Sequence, residues 1–201
     1  MILSTSYNEI EILENIKNLH CKKKRFHLDV TYSRGTIYKN RKEIEPRIKT
    51  DKNYFENIDA QMNTKNLPIK SESIESIIYD PPFLCRTGKA INRDKTAIRY
   101  GYYTSRTEQI EEYTRSIEEF SRVLKTSGVL IIKIGDMKGN EYITSHVDMI
   151  NIINEKGLTV IDIFIKVRNR NINQTDRNQR VAKQNHTFFI VAKKKRKYTR
   201  R

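Results

Sequence analysis

Apolar positions along this chain alternate between two spacings: stripes at helical intervals and short, nearly continuous runs. Ile10, Leu13, Ile16 and Leu19 lie three residues apart, close to the helical period, and predict a helix over 8–20. "RFHLDV" then reads as a strand ending at Asp29, "YSRGTIY" as a turn built on Gly35, and "PRIKT" as a short strand before Asp51. The polar stretch 54–73, broken at Leu67-Pro68, leads into the strand "SIESIIYD".

Beyond residue 107 the two patterns repeat. Ser105 and Glu108 have the spacing of a capping box ahead of Ile110, Tyr113, Ile117, Phe120 and Leu124, a helical stripe. Gly128 reads as the stop before "VLIIKI", a run suited to a strand covered on both faces. Ile143, Val147, Ile150 and Ile153 form another stripe ending at Lys156-Gly157, followed by "LTVIDIFIKV", a polar loop and "HTFFIVA". Strands alternating with helices predict an α/β fold, with a mostly parallel sheet, helices on both faces and an antiparallel pair at one edge. The expected organisation is a single domain over 1–194 with a basic tail at 195–201. Loops over 84–107 and 168–184 are the candidate substrate contacts.

Charge sharpens this picture. Hydrophobic residues are 37% of the 201 and charged residues 31%, so the core must be economical. Between Lys166 and Lys183 there are six Lys/Arg against one acid, and from Lys193 to Arg201 seven against none. Together these stretches supply twelve of the net +15. Such concentration attracts a polyanion through phosphate neutralisation, which makes nucleic acid the expected partner. No apolar run reaches the roughly 18 residues of a membrane helix, so the expectation is a soluble, cytoplasmic protein without membrane association. Cys21 and Cys85 lack the spacing of a zinc site or a disulfide framework, and no metal is expected.

The stretch "SIIYDPPF" carries the candidate chemistry. In an open α/β sheet, ligands gather outside the carboxyl ends of the strands, and Asp80 falls at such an end. Pro81 and Pro82 restrict the backbone to extended geometry and remove two amide donors, so the carbonyls there keep fixed directions. Phe83 adds a flat apolar face. Carboxylate, fixed carbonyl and ring together suit a planar heterocycle bearing an exocyclic amine.

"DPPF" resembles the catalytic motif of S-adenosylmethionine-dependent amino methyltransferases acting on adenine N6 or cytosine N4 of nucleic acids. "NLPIKSESIESIIYDPPF", "SRVLKTSGVLIIKIGD" and "RVAKQNHTFFIVAKK" extend the resemblance to small bacterial and phage DNA methylases, over most of residues 26–194. The resemblance implies a Rossmann-like methyltransferase fold with the cofactor half first and the catalytic half second. It implies a reaction in which a flipped base receives a methyl group directly. Asp80 and the Pro81 carbonyl would accept the amine hydrogens, Pro82 would hold the turn, and Phe83 would stack on the base.

By the same resemblance S-adenosylmethionine is held by Asp29 and Gly35 at its methionine end, by Asp51 at the ribose and by Asp59 at the adenine amine. An acid can bind an ammonium, and glycine permits close backbone approach. The first-strand motif departs from the family: its usual Gly-x-Gly is reduced to Gly35, preceded by Ser33 and Arg34. Glu43, Glu45 and Glu56 are not excluded by spacing as alternatives to Asp51. Arg86, Lys89, Arg93, Arg99 and Tyr100 in the first loop suit phosphate contact and base stacking. Arg168, Arg170, Arg177 and Arg180 in the second suit phosphate or base-edge contact.

By the resemblance, an acid rather than Ser in the first position of the motif looks more like the adenine group, which implies adenine N6 ahead of cytosine N4, and DNA is placed ahead of RNA. An RNA base methyltransferase and a non-catalytic nucleic-acid-binding subunit with a degenerate cofactor site remain the alternatives. With the methyltransferase core expected over nearly the whole chain, no separate target-recognition domain is expected. Specificity is therefore short and read by the loops, or it comes from a partner protein, and a homodimer is left open.

Overall fold

The computed structural model describes residues 1–85, 101–138, 141–168, 182 and 184–195. Ten strands and three helices of these residues matter for the site. The strands are β1 Thr5–Ser6, β2 Leu28–Asp29, β3 Ile48–Asp51, β4 Ala60–Gln61, β5 Ile74–Tyr79, β6 Leu124–Ile134, β7 Met137–Lys138, β8 Tyr142–Ile143, β9 Leu158–Val167 and β10 His186–Lys194. The helices are α1 Glu9–His20, α2 Arg106–Val123 and α3 Ser145–Glu155.

Eight strands form one sheet in the order β1-β9-β10-β6-β5-β2-β3-β4, and β7 pairs with β8 beside it. All neighbours in the sheet run parallel except β10, which is antiparallel to both β6 and β9. The antiparallel pair is as expected, but β10 is interior and the short β1 closes that edge. Between β5 and β2 the chain order reverses direction along the sheet, so this is the switch point where ligands are expected.

Alternation divides the core into two layers, because successive strand residues face opposite sides. Ile77, Tyr79, Leu130, Ile132, Ile134, Ile190 and Ala192 pack with Tyr113, Ile117 and Phe120 of α2 and Met149, Ile152 and Ile153 of α3. Ile78, Val129, Ile131, Phe164, Phe189 and Val191 pack with Ile12, Leu13 and Ile16 of α1. Phe120 is fully buried and meets the Tyr79 ring edge-on at 5.0 Å. The two layers explain why "VLIIKI" lacks polar alternation.

Three local expectations are refined. The Ser105 side chain caps α2 by accepting from the Glu108 N–H, but the Glu108 carboxylate accepts from the backbone and hydroxyl of Thr104 instead of returning to Ser105. Gly128 does not stop α2, which passes straight into β6. It lies in an irregularity of the β5–β6 register, where Ser127 has positive φ and a Cβ on Gly128 would come within 2.8 Å of the Lys125 carbonyl. In α3 the buried face is Ser145, Met149, Ile152 and Ile153, while Val147 is exposed and Ile143 belongs to β8. An apolar-rich helix has more than one stripe to offer, and only packing selects its phase.

Substituting Phe120→Ala is expected to cost about 3–5 kcal/mol, read as a lower midpoint in urea unfolding with an unchanged slope.

Candidate active site

Parallel pairing sets the site. Asp29 lies opposite Ile78 in the β2–β5 ladder, and Tyr79 opposite Ile132 in the β5–β6 ladder, so Asp29, Asp80 and Lys133 reach the carboxyl edge on adjacent strands. Asp51 ends β3 one strand further on. These residues line an open cavity of about 1650 Å³, which also takes in Tyr7, Asn8 and Glu9 at the start of α1 and Lys166 near the end of β9. Ligand pockets usually run to roughly 300–1,000 Å³, so the cavity can hold more than one small molecule.

Asp29 is buried, and both of its oxygens are engaged. Oδ1 accepts from the Thr31 N–H at 2.9 Å and Oδ2 from the Tyr38 hydroxyl at 2.9 Å. Burial raises its pKa to about 7; the bonds from Thr31 and Tyr38 oppose the rise and the charge of Asp80 adds to it. Asp51 accepts from the Ser33 N–H at 3.1 Å and the Asn53 N–H at 2.9 Å, so each oxygen retains acceptor capacity. Burial raises its pKa as well, against those two bonds.

The catalytic candidate is clamped along its backbone. The Asp80 N–H donates to the Thr31 hydroxyl at 2.7 Å, and that hydroxyl lies 3.4 Å from Asp29 Oδ1. Two residues on, the Pro82 carbonyl accepts from the Tyr113 hydroxyl at 2.8 Å. The dipeptide "PP" is thus fixed from both sides of the sheet, and the Asp80 side chain, 40% exposed, faces the cavity. Burial of the carboxylate lifts its pKa above the ordinary range, against the opposing charge of Lys133. The Phe83 ring is partly buried against the α2 layer, at Gly135, where a Cβ would sit 3.3 Å from it. It borders the cavity's lining residues without being one of them.

Two expected cofactor residues are placed differently. Asp59 stands outside the lining: its backbone N–H donates to the Lys49 carbonyl and its carboxylate accepts from the Lys49 N–H at 2.8 Å. Gln61 is the residue level with Asp51 in the β3–β4 register, so Asp59 falls two positions short of the ligand edge. Gly35 has φ +61°, but the space a side chain would need is filled by the Tyr32 ring, 2.2 Å from an added Cβ. Its glycine is required by the turn and by Tyr32. Of the alternative acids, Glu45 accepts from the Tyr32 hydroxyl, Glu43 pairs with Arg41, and neither they nor Glu56 line the cavity.

Arg86, Lys89, Arg93, Arg99, Tyr100, Arg170, Arg177 and Arg180 lie outside the described residues. The backbones of Cys85 and Tyr103 are bridged, and the Tyr103 N–H donates to the Leu84 carbonyl at 2.8 Å, so Tyr103 is brought back beside the Asp80–Phe83 turn. Arg168 continues the β9–β10 ladder through its N–H to Asn185. Sequence reasoning passed over Lys133, Glu9, Lys166, Thr31, Tyr38 and Tyr113. A lysine interrupting an apolar strand was the one visible signal, in "VLIIKI".

With this geometry in place, the comparisons decide the family. A family model described as DNA methylase, of the N6/N4 type, matches residues 74–201, starting at the first residue of β5. The chain belongs to this DNA methylase family. No curated protein matches it. Among solved structures it is similar to a Burkholderia thailandensis 1,6-didemethyltoxoflavin N1-methyltransferase with bound S-adenosylhomocysteine. That likeness has 10% identity, a TM-score of 0.60 and coverage of 95% of this chain and 80% of that one. A SAM-dependent methyltransferase from Methanosarcina mazei matches at 11% identity and TM-score 0.53, over 90% and 96%. These likenesses establish the Rossmann-like methyltransferase fold. A Thermus thermophilus DNA modification methylase structure matches at 15% identity and TM-score 0.44, covering 67% of this chain, which spans 50% of its length.

Among the described residues no helix is long and apolar enough to cross a membrane.

The Asp29 carboxyl gives a pH signature in the protein without ligand. Its pKa of about 7 exceeds the ordinary unfolded value near 3.9. Between these values the folded chain holds a proton that the unfolded chain releases, so its contribution to stability is complete below about pH 4 and is lost as pH rises to about 7. Thermal unfolding across that range is expected to show this decline in wild type and a flatter profile in Asp29→Asn. Gly35→Ala should lower the melting temperature at every pH, since it forces a side chain into the left-handed region and into Tyr32.

Proposed function

We propose that this chain transfers a methyl group from S-adenosylmethionine to the exocyclic amine of a flipped DNA base, adenine N6 ahead of cytosine N4. The observation that carries the reading is the Asp80-Pro81-Pro82-Phe83 turn, fixed at the carboxyl end of β5 so that Asp80 and Pro82 line the same cavity as Asp29 and Asp51, with Phe83 at its border. The residues present fit the cofactor. Asp29 is a carboxyl starved of solvation beside an open cavity, which a cofactor ammonium would relieve. Asp51 keeps acceptor capacity for ribose hydroxyls, and Phe55 supplies an apolar wall.

When bound, S-adenosylmethionine supplies an electrophilic methyl group on a sulfonium. The chain's own contribution is to make a poor nucleophile reactive. The lone pair of an exocyclic amine is delocalised into its ring, and Asp80 with the Pro81 carbonyl would accept its two hydrogens and turn the nitrogen towards tetrahedral geometry. Asp80 would face the positive charge that develops on the amine nitrogen as it takes the methyl group from the sulfonium, which would leave as a neutral thioether, and the nitrogen would then give up one proton to solvent. Phe83, packed beside Gly135, would repay part of the few kcal/mol spent in unstacking the base.

Labelled S-adenosylmethionine incubated with unmethylated DNA and with RNA, followed by separation of the nucleosides, tests the reading. N6-methyladenine in DNA is the expected product. Label in RNA alone would move the substrate to RNA, and no transfer to either would sink the enzymatic reading. Asp80→Ala should reduce transfer at least a hundredfold, on the order of losing one group that stabilises developing charge, with cofactor binding by calorimetry preserved. Phe83→Ala should chiefly raise the KM for nucleic acid.

A further inference from the structure

Asp80 is held by a set of charges that the assignment of the catalytic turn does not use. On β6, Ile131 and Lys133 face the α1 layer, as do Ile78 and Asp80 on the β5 side. Lys133 Nζ donates to Asp80 Oδ2 at 2.9 Å and is 2.7 Å from Glu9 Oε1. Lys166, from β9, reaches Glu9 Oε2 at 2.5 Å. All four groups line the cavity. The side chains of Lys133 and Glu9 are only 21% and 17% exposed, so their charges meet each other with little screening by water.

A buried lysine in an otherwise apolar strand is costly unless it is paired. Here burial works against the Lys133 charge, but Asp80 and Glu9 outweigh it and hold the ammonium above the ordinary lysine range. Burial likewise opposes the charge of Glu9, and Lys133 with Lys166 keep it below its ordinary value. Two carboxylates and two ammoniums leave the group neutral, which matters beside a nitrogen that becomes positive during transfer. An uncompensated lysine there would oppose the reaction. An absent one would leave Asp80 beside the acids Asp29 and Glu9.

We propose that Lys133 is a positioning residue for methyl transfer: braced by Glu9, it fixes one oxygen of Asp80 and keeps the carboxylate charged, leaving the other oxygen for the amine. The proposal rests on the reading of Asp80 as the amine acceptor. Glu9 is the second partner that takes the lysine's charge as the amine engages Asp80, and Lys166 holds Glu9 in place. The groups facing Asp80 are Lys133 from β6, Glu9 from α1, Lys166 from β9, Asp29 from β2, Tyr38 from the turn after it and Tyr113 from α2.

The test compares pH profiles of kcat with unmethylated DNA for wild type, Lys133→Met, Lys133→Arg and Glu9→Gln, all checked for folding by circular dichroism. Lys133→Met should lose about tenfold or more in kcat at pH 6, as expected when an opposite charge at contact is removed from a carboxylate. The deficit should narrow towards pH 9, with cofactor affinity unchanged. Lys133→Arg should restore most of the profile. Glu9→Gln removes a negative charge near Asp80, so its acid limb should move to lower pH, the opposite direction. Wild-type-shaped profiles in folded Lys133→Met and Glu9→Gln would overturn the proposal. An independent readout is the titration of the Asp80 carboxyl by carbon NMR, which should move up in Lys133→Met and down in Glu9→Gln. If wild type transferred no methyl group, the proposed function would fail, and this titration would still decide the brace. Should Lys133→Met not fold, Lys133→Gln, which keeps a polar side chain without the charge, takes its place: an upward shift of the Asp80 titration is expected, and an unmoved one would overturn the proposal.

Discussion

The parallel pairing of β2 with β5 is the constraint on which the rest of this structure depends. Leu28 stands opposite Ile77 and Asp29 opposite Ile78, so two strands far apart in sequence finish side by side and pointing the same way. Parallel strands need their hydrogen bonds sheltered and their faces covered. The two apolar layers provide that cover, α1 on one face and α2 with α3 on the other. Once the strands are level, the residues just beyond them share one edge. Thr31 joins them through a single hydroxyl, accepting from the Asp80 N–H while contacting the Asp29 carboxyl.

The site holds its two acids in two different ways. Asp29 is buried, and its proton affinity rises with the loss of water, against the pull of the hydrogen bonds from Thr31 and Tyr38. Asp80 is given a lysine, and the lysine is given a second acid. The first keeps its proton up to about pH 7. The second is already neutral, and a ligand entering it redistributes charge without adding any. Desolvation acts on both acids in the same sense, and they differ in exposure as well as in the partner supplied.

How much of this was legible in the sequence varies from element to element. The helix over Glu9–His20, the strands around Asp29, Asp51 and Tyr79, and the capping role of Ser105 follow from periodicity and local chemistry, and are found. The phase of α3 was not legible, because Ile143, Val147, Ile150 and Ile153 compete with Met149 and Ile152 and only the sheet surface decides between them. Gly128 illustrates another limit: a glycine between a helix and a strand looks like a stop, yet here it serves a register irregularity. Asp59 matched a motif by residue type and order, but the β3–β4 register leaves it level with Lys49, away from the cavity.

By itself the sequence determined the α/β alternation, the strand that ends at Asp80, and the chemistry a carboxylate, two prolines and a ring can offer. These are local properties, set by side-chain period and by the fixed φ of proline. The tertiary structure decided which residues meet. It brought Lys133 to Asp80 from the neighbouring strand, Glu9 from the first helix and Lys166 from the far side of β10, and it filled the space beside Gly35 with Tyr32. Such meetings depend on strand order and register, which a one-dimensional pattern of apolar and polar positions does not carry. The turn at Asp80 could be read from its own residues, while the charges that govern it come from three other elements of the fold.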